Sequence, residues 1–293
     1  MEARAKINLT LEVFGKRADG FHDLRSLVVP ISLADEIKLR PSEEITLRVT
    51  EAVSGVADQI GPAANNLAVR AVRLMQRVSG RTEGVAIDLV KRIPIGSGLG
   101  GGSADAAAAL KALDALFELH LSPQALSAYA ARLGSDCAFF LHEEPMMGSG
   151  RGEILTPFPL DLSRFRLEIV VPEGVHVSTA DAYRGIVPKA PAKPLAAVLL
   201  QDPSSWKTEL VNDFEATVFA KYPSLRQYKA GLYERGALYA AMTGSGSALF
   251  AIYPDERSAK HAAEEARRAI EDPASDLRGD RVYAVRTLSS LVL

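Results

Sequence analysis

From Ala5 to Val13 apolar and polar residues alternate. Ile7, Leu9, Leu11 and Val13 fall on one side, and Lys6, Asn8, Thr10 and Glu12 on the other. A period of two is that of a β-strand, here expected to be half buried with a polar second face. Asp19-Gly20, within KRADGFH (16–22), is a hairpin-type turn signal. LRSLVVPISL, DEIKLRP and EITLRVT (44–50) read as further strand material. The period changes in NNLAVRAVRLMQRVSG (65–80), where apolar residues recur at helical spacing and Gly80 marks the stop. GVAIDLVKRIP (84–94) returns to strand. Helices are expected from Ser103 to Glu118 and over SPQALSAYAARLG (122–134), the second with Ser122 as N-cap, Pro123 in its first turn and Gly134 past its end. DCAFFL (136–141) reads as a short buried strand.

Pro, Gly and Ser cluster between about 145 and 163, which suggests a boundary near 158. The second half opens with a strand, FRLEIVVP (165–172). APAKPLAAVLLQDPSSWK (190–207) reads as a mobile surface segment. A helical stretch over 213–235 follows, then the strands ALYAAM and ALFAIY around TGSGS, a helix over 255–271 and a last strand near 281–287. Strands and helices in this mixed order predict two α+β domains, 1–158 and 159–293. The length of 293 residues agrees with two.

Composition narrows the function. Hydrophobic residues make up 47% and charged residues 24%, as in an ordinary globular protein. A net charge of -2 exerts no broad pull on nucleic acid or an anionic membrane, so neither is an expected partner. One cysteine, Cys137, cannot form an internal disulfide, and the first residues lack an apolar leader core; a cytoplasmic location is expected. The five histidines have no metal-ligand spacing, so no protein-held metal is expected.

The candidate chemistry sits at PIGSGLGGGSADAAAAL (94–110), which packs five glycines into the seven positions from Gly96 to Gly102. Gly96-Ser97-Gly98-Leu99-Gly100-Gly101 satisfies the dinucleotide fingerprint, but the next element is a second helix rather than a strand ending in an acid. No Lys-Ser or Lys-Thr follows, as a P-loop needs. A purely structural loop rarely carries so many glycines, since each costs folding entropy. What remains is an anion cradle. Bare backbone N–H groups approach a phosphate closely at a helix start, and Ser103 is placed to cap that helix and to offer a hydroxyl to phosphate or to Mg²⁺.

PIGSGLGGGSADAA (94–107) resembles the ATP-binding motif of the GHMP small-molecule kinases, the family of galactokinase, homoserine kinase and mevalonate kinase. It departs from the commonest form, Pro-x-x-x-Gly-Leu-Gly-Ser-Ser, by placing Gly101 and Gly102 before the serine. That version is typical of the branch whose acceptor is a cytidine diphosphate-linked methylerythritol, in the non-mevalonate route to isoprenoid precursors. AKINLTLEVFGKRADGFHDL (5–24) is similar to that branch's N-terminal signature, and TGSGSALF (243–250) to the third GHMP motif. NNLAVRA, GSDCAFF, GEILTP and NDFE fall in the family's order.

The resemblance implies an α+β, two-domain GHMP kinase fold. Its N-terminal domain is a ribosomal-protein-like β/α module, its C-terminal domain is ferredoxin-like, and the active site lies in the cleft between them. It implies an enzyme that transfers the ATP γ-phosphoryl group, with Mg²⁺ arriving on the nucleotide, to the 2-hydroxyl of the methylerythritol unit. Asp136 matches the catalytic base, expected to be partly buried, and Lys6 the cation that stabilises charge at the reacting groups. Asn8 matches a contact to the acceptor hydroxyl. Pro94, Gly96, Ser97, Gly98, Leu99, Gly100, Gly101, Gly102 and Ser103 match the ATP-binding motif, and Asn66 the adenine side. Phe21 and Tyr183 match rings that sandwich cytosine, with phenylalanine where the family often has tyrosine, and His22 matches the contact to the base edge. Thr243, Gly244, Ser245 and Gly246 match a second anion-binding turn. A GHMP kinase for another small alcohol, such as homoserine or a sugar, is the alternative; it would have no use for the aromatic positions. A binding protein without turnover would have lost Asp136 or Lys6. A monomer or weak homodimer is expected.

Overall fold

The computed structural model describes residues 1–51, 62–189, 194–271 and 280–287. They form two compact units, and the chain passes between them repeatedly. Met1–Ala5, Leu33–Ile95 and Gly100–Glu143 make the first; Lys6–Ser32, Gly96–Leu99 and Glu144–Leu293 make the second.

In the first unit the C-terminal half of β2 (His22–Ser42) pairs antiparallel with β4 (Gly84–Lys91), from Glu36 opposite Val90 to Ser42 opposite Gly84. β3 (Thr46–Glu51) runs parallel to β4. A parallel pair needs a crossover, and α1 (Leu67–Ser79) lies in it. Asn66 caps α1 by accepting from the Ala68 N–H at 2.9 Å, and Gly80 ends it at φ 71°. α2 (Gly101–Leu116) and α3 (Pro123–Leu133) follow; Ser122 caps α3 as its sequence predicts. DCAFFL is not a strand. Its N–H groups bond three residues back, Phe139 to Asp136, Phe140 to Cys137 and Leu141 to Ala138, so it closes as tight helical turns. A short apolar run carries no period that tells strand from helix.

In the second unit β1 (Glu2–Lys16) pairs with β2, and Gly20 sits in the connection at φ 85°. β5 (Met146–Ser149) pairs with β2 and β6 (Ile154–Pro157) with β5, so the Gly-rich stretch after 145 is a hairpin. Beyond it come β7 (Arg166–Val171), α4 (Thr179–Arg184), α5 (Leu195–Leu199), α6 (Trp206–Glu209), α7 (Phe214–Lys221), α8 (Pro223–Glu234), β8 (Tyr239–Met242), β9 (Leu249–Tyr253), α9 (Glu256–Glu271) and β10 (Arg281–Val285). The sheet order is β10-β7-β9-β8, antiparallel throughout. Numbered along this stretch, that is 4-1-3-2 with helices after the first and third strands, the ferredoxin-like arrangement. The expected helix over 213–235 is two helices, because Pro223 supplies no N–H to continue α7.

The stretch 190–207 differs from expectation. Residues 190–193 lie outside the described residues, but Leu195, Val198, Leu199 and Trp206 are buried. The Trp206 indole donates to the Val198 carbonyl at 3.1 Å and meets the Tyr239 ring edge-on. A large aromatic with its one donor satisfied holds the segment down.

Candidate active site

The glycine run is built by alternation. Gly96, Gly98 and Gly100 have φ of 68°, 83° and 77°, while Ser97 and Leu99 between them are buried. Left-handed backbone favours glycine at all three. At Gly98 contact adds a second reason: a Cβ there would lie 2.3 Å from the Thr243 carbonyl oxygen. At Gly101 a Cβ would lie 2.9 Å from Ile93 Cγ2, whereas at Gly102 it would meet only Leu67 Cδ1, at 3.8 Å. Buried Pro94 precedes the run and favours extended backbone at Ile93.

Ser103 does not cap α2. The helix starts two residues earlier, with left-handed Gly100 as its N-cap and no side-chain acceptor. The Ala104 N–H is bonded to the Gly100 carbonyl at 2.9 Å, and the N–H groups of Gly101, Gly102 and Ser103 precede it. Those are the donors that a helix start offers an anion. Ser103 sits in the first turn, half-buried, its hydroxyl bonded to the Cys137 thiol. Burial pushes that thiol upward, with Ser103 offsetting only part; Cys137 is a packed apolar side chain.

Lys6, Asn8 and Thr10 correct the expectation of a solvated strand face, since all three are buried. Lys6 Nζ donates to Asn8 Oδ1 and, at 2.5 Å, to the Gly98 carbonyl. Asn8 Nδ2 donates to Ser26 Oγ at 2.8 Å, which donates to the Thr10 carbonyl at 2.7 Å. The Asn8 backbone N–H donates to Thr243 Oγ1 at 3.0 Å. One network thus joins β1, β2, the glycine run and the 243–246 turn. That turn is a tight link between β8 and β9, closed by the Gly246 N–H on the Thr243 carbonyl at 3.0 Å. A Cβ on Gly244 would meet Lys6 Nζ at 3.3 Å. Ser245 Oγ lies 3.0 Å from Thr179 Oγ1.

Sequence reasoning assigned no role to the residue that fixes this turn. Buried Asn212 donates to the carbonyls of Met242, at 2.6 Å, and Gly244, at 2.9 Å, and its Oδ1 accepts from the Phe214 N–H. Asn212 opens the NDFE motif, which was the available signal.

The aromatic positions divide. The His22 and Tyr183 rings stack, centroids 5.0 Å apart at 23°, and Phe214 meets Tyr183 edge-on. Phe21 is exposed and lies under the Arg151 guanidinium, 4.8 Å from Cζ to the ring centroid. Asp136 is exposed on the turn after α3, not partly buried as expected, because the chain around it coils instead of entering a sheet.

A charged triad in the first unit was missed altogether. Val85, Ile87 and Leu89 form the inward stripe of β4, and Lys91 takes its next place. Lys91 Nζ is paired with Asp35 Oδ2 and, at 2.8 Å, with Asp105 Oδ2. Asp35 Oδ1 also accepts from the Arg92 and Ile93 N–H groups, while buried Asp105 Oδ1 has no hydrogen-bond partner among the described residues. Burial, with Asp35 adding to it and Lys91 opposing, pushes the Asp105 carboxyl up to about 7. Burial lowers the Lys91 ammonium, but the two carboxylates outweigh it and the net shift is upward. A Cβ on Gly101 would stand 3.3 Å from Lys91 Nζ, so the triad underlies the start of α2.

Two family models match: the GHMP kinases N terminal domain over residues 66–144 and the GHMP kinases C terminal domain over 195–272. A 4-diphosphocytidyl-2-C-methyl-D-erythritol kinase of Bacteroides fragilis is 42% identical over 257 residues, 87% of this chain and 93% of the relative. The chain belongs to the GHMP kinase family.

A kinase of the same name from Azobacteroides pseudotrichonymphae is 40% identical to this GHMP kinase over 85% of the chain and 91% of the relative. A crystal structure of 4-(cytidine 5'-diphospho)-2C-methyl-D-erythritol kinase superposes with a TM-score of 0.80, at 33% identity and 98% coverage of both chains. The two-domain α+β fold is thereby that of the family, and ATP is the phosphoryl donor of a GHMP kinase.

Proposed function

We propose that this chain transfers the γ-phosphoryl group of ATP to the 2-hydroxyl of 4-diphosphocytidyl-2-C-methyl-D-erythritol, giving the 2-phosphate and ADP in the non-mevalonate route to isoprenoid precursors. Relatives of that name at about 40% identity support it. The observation that carries it from geometry is the stacked His22–Tyr183 pair. A planar aromatic surface suits a nucleobase, and an acceptor such as homoserine or a sugar has none to stack.

The roles follow from the chemistry each group offers. Phosphoryl transfer asks for positioning, charge stabilisation and a base. Asp136 takes the proton of the acceptor hydroxyl as its oxygen attacks the γ-phosphorus and ADP leaves. Lys6, held by Asn8 and Gly98, stabilises the negative charge, and Asn8 orients the acceptor. Gly96 to Ser103, with Pro94, cradle the triphosphate through the N–H groups at the start of α2, and Asn66 contacts the adenine side. Tyr183 and Phe21 stack on the cytosine and His22 meets its edge, which requires the His22 ring to leave the Tyr183 face it covers; the 243–246 turn binds phosphate.

Mg²⁺ enters as part of the ATP substrate. The nucleotide phosphates and water supply the ion's ligands, with the Ser103 hydroxyl as a protein contact. By sequence the chain divides into domains 1–158 and 159–293, each carrying one family model, while the second compact unit draws segments from both sides of that point. The protein acts in the cytoplasm on a small-molecule acceptor, as a monomer or weak homodimer.

The test is ADP release from ATP and Mg²⁺ with the cytidylated acceptor, beside homoserine, galactose and mevalonate, for the wild type and Asp136→Asn. Turnover with the cytidylated acceptor alone, lost in the variant, is expected. Turnover on another alcohol instead would overturn the acceptor assignment while keeping the family.

A further inference from the structure

The first unit carries a basic concavity that shares no residue with the candidate active site. Ala68, Val69, Ala71, Val72, Leu74 and Met75 form the buried face of α1. That periodicity leaves Arg70, Arg73 and Arg77, at i, i+3 and i+7, on one exposed stripe. Arg132, in the last turn of α3, joins them. The four arginines line a space of about 560 Å³ together with Ala64, Asn65, Leu74 and Leu133, and no acidic side chain among the described residues is in its wall.

This is unlike the arginines nearby. Arg40 pairs with Asp88, Arg81 with Glu83, and Arg92 with Glu36. Among the described residues, no carboxylate comes within ion-pair range of Arg70, Arg73, Arg77 or Arg132. Three like charges on one stripe of a helix and a fourth facing them repel one another, in a protein whose net charge is -2. A bound counter-anion removes that repulsion.

We propose that the α1–α3 concavity is an anion-binding site whose ligand class is a condensed phosphate, a di- or triphosphate chain. Guanidinium groups match phosphate oxygens with paired donors, and four of them match the several charges of a condensed phosphate better than the two of a single phosphate. The volume is that of a small-molecule site. A nucleic-acid track would be extended and interleaved with aromatic rings, and no aromatic side chain among the described residues lines this wall. The site stands independently of the kinase reading, although α1 also carries the proposed adenine contact, Asn66, at its N-cap.

Calorimetric titration of the full chain with inorganic triphosphate tests this, in magnesium-free buffer, for the wild type and for the double variant Arg73→Gln/Arg77→Gln. We expect the wild type to bind one equivalent of triphosphate that the variant does not. Inorganic phosphate should bind at least tenfold more weakly, and 0.5 M NaCl should weaken triphosphate binding severalfold. The double variant Arg73→Gln/Arg77→Gln should lose tenfold or more in triphosphate affinity while keeping kcat and KM for ATP within twofold. Both positions are exposed and glutamine is a good helix former, so circular dichroism should be unchanged. Triphosphate binding that the double variant leaves intact in stoichiometry and affinity overturns the site. A 12-mer single-stranded RNA that binds more tightly than triphosphate, and is lost in the variant, overturns the ligand class.

Discussion

Two lysines, Lys6 and Lys91, are buried to almost the same degree, 5% and 3% exposed, among different acceptors. Lys6 donates to an amide oxygen and a backbone carbonyl, acceptors that do not titrate. Lys91 sits between two carboxylates, one with an unpartnered oxygen and a carboxyl raised to about 7. Fixed dipoles orient the Lys6 ammonium, which suits the phosphate-facing role proposed for it. Paired carboxylates balance the charge and tie strand to helix, which suits support for the glycine run. The same side chain type is thus held by two different sets of acceptors.

The largest expected effect breaks the triad. Lys91→Met leaves two carboxylates buried without a cation, and should cost about 3–5 kcal/mol of stability. Urea unfolding at pH 7.5 measures it, and a loss below 1 kcal/mol would show that water already solvates the triad.

Next comes pH. The folded-state carboxyl of Asp105 lies above its unfolded value of 3.8, so its contribution to stability is full below about pH 4 and lost as pH rises through about 7. Stability should fall across that window with a slope of up to about 1.4 kcal/mol per pH unit from this group. Asp105→Asn should remove the slope and be the more stable protein at pH 8. Parallel unfolding curves for wild type and variant at pH 5 and 8 would sink this account.

The Lys6 side of the comparison is read in turnover. Lys6→Met should lower kcat by roughly 10²–10³-fold, with the unfolding midpoint less affected than in Lys91→Met. If kcat stays within tenfold, the proposed role for Lys6 is wrong. Thr243→Val then leaves the buried Asn8 N–H without its acceptor, for about 1–3 kcal/mol of stability. Its effect should be the same at pH 5 and 8, since nothing in that bond titrates; a pH-dependent loss would tie the network to an ionising group. The smallest effect is at Gly102, where alanine should be neutral or gain up to about 1 kcal/mol in thermal unfolding, because the residue is helical and open. A loss at Gly102 as large as at Gly101 would mean the run is constrained by more than the contact with Ile93 and Lys91.

Much of this protein was legible from local pattern. Asn66, Ser122 and Gly80 mark helix ends with side chains or backbone freedom of their own. Asp19-Gly20 and Thr243-Gly244-Ser245-Gly246 mark turns, and alternation marks β1 and β4. The glycine run was legible as an anion cradle because so many bare residues before a helix have few other uses. Motif spacing then led to the family. These features depend on neighbours within about one turn of chain, so the sequence by itself determined them.

The tertiary structure decided what each pattern was for. A polar strand face reads as solvated until β2, the glycine run and the 243–246 turn cover Lys6 and Asn8, partners up to 235 residues away. Lys91 ends an alternating strand on its inward side, but only Asp35 and Asp105 arriving from other elements make that position tolerable for a charge. DCAFFL coils because hydrogen bonds three residues back are available there, which no apolar count reveals. Ser103 loses the cap to Gly100 because the helix begins wherever the backbone first turns right-handed, and that follows from the left-handed glycine before it. Burial and charge pairing are sums over residues distant in sequence, and those sums exist only once the chain has folded.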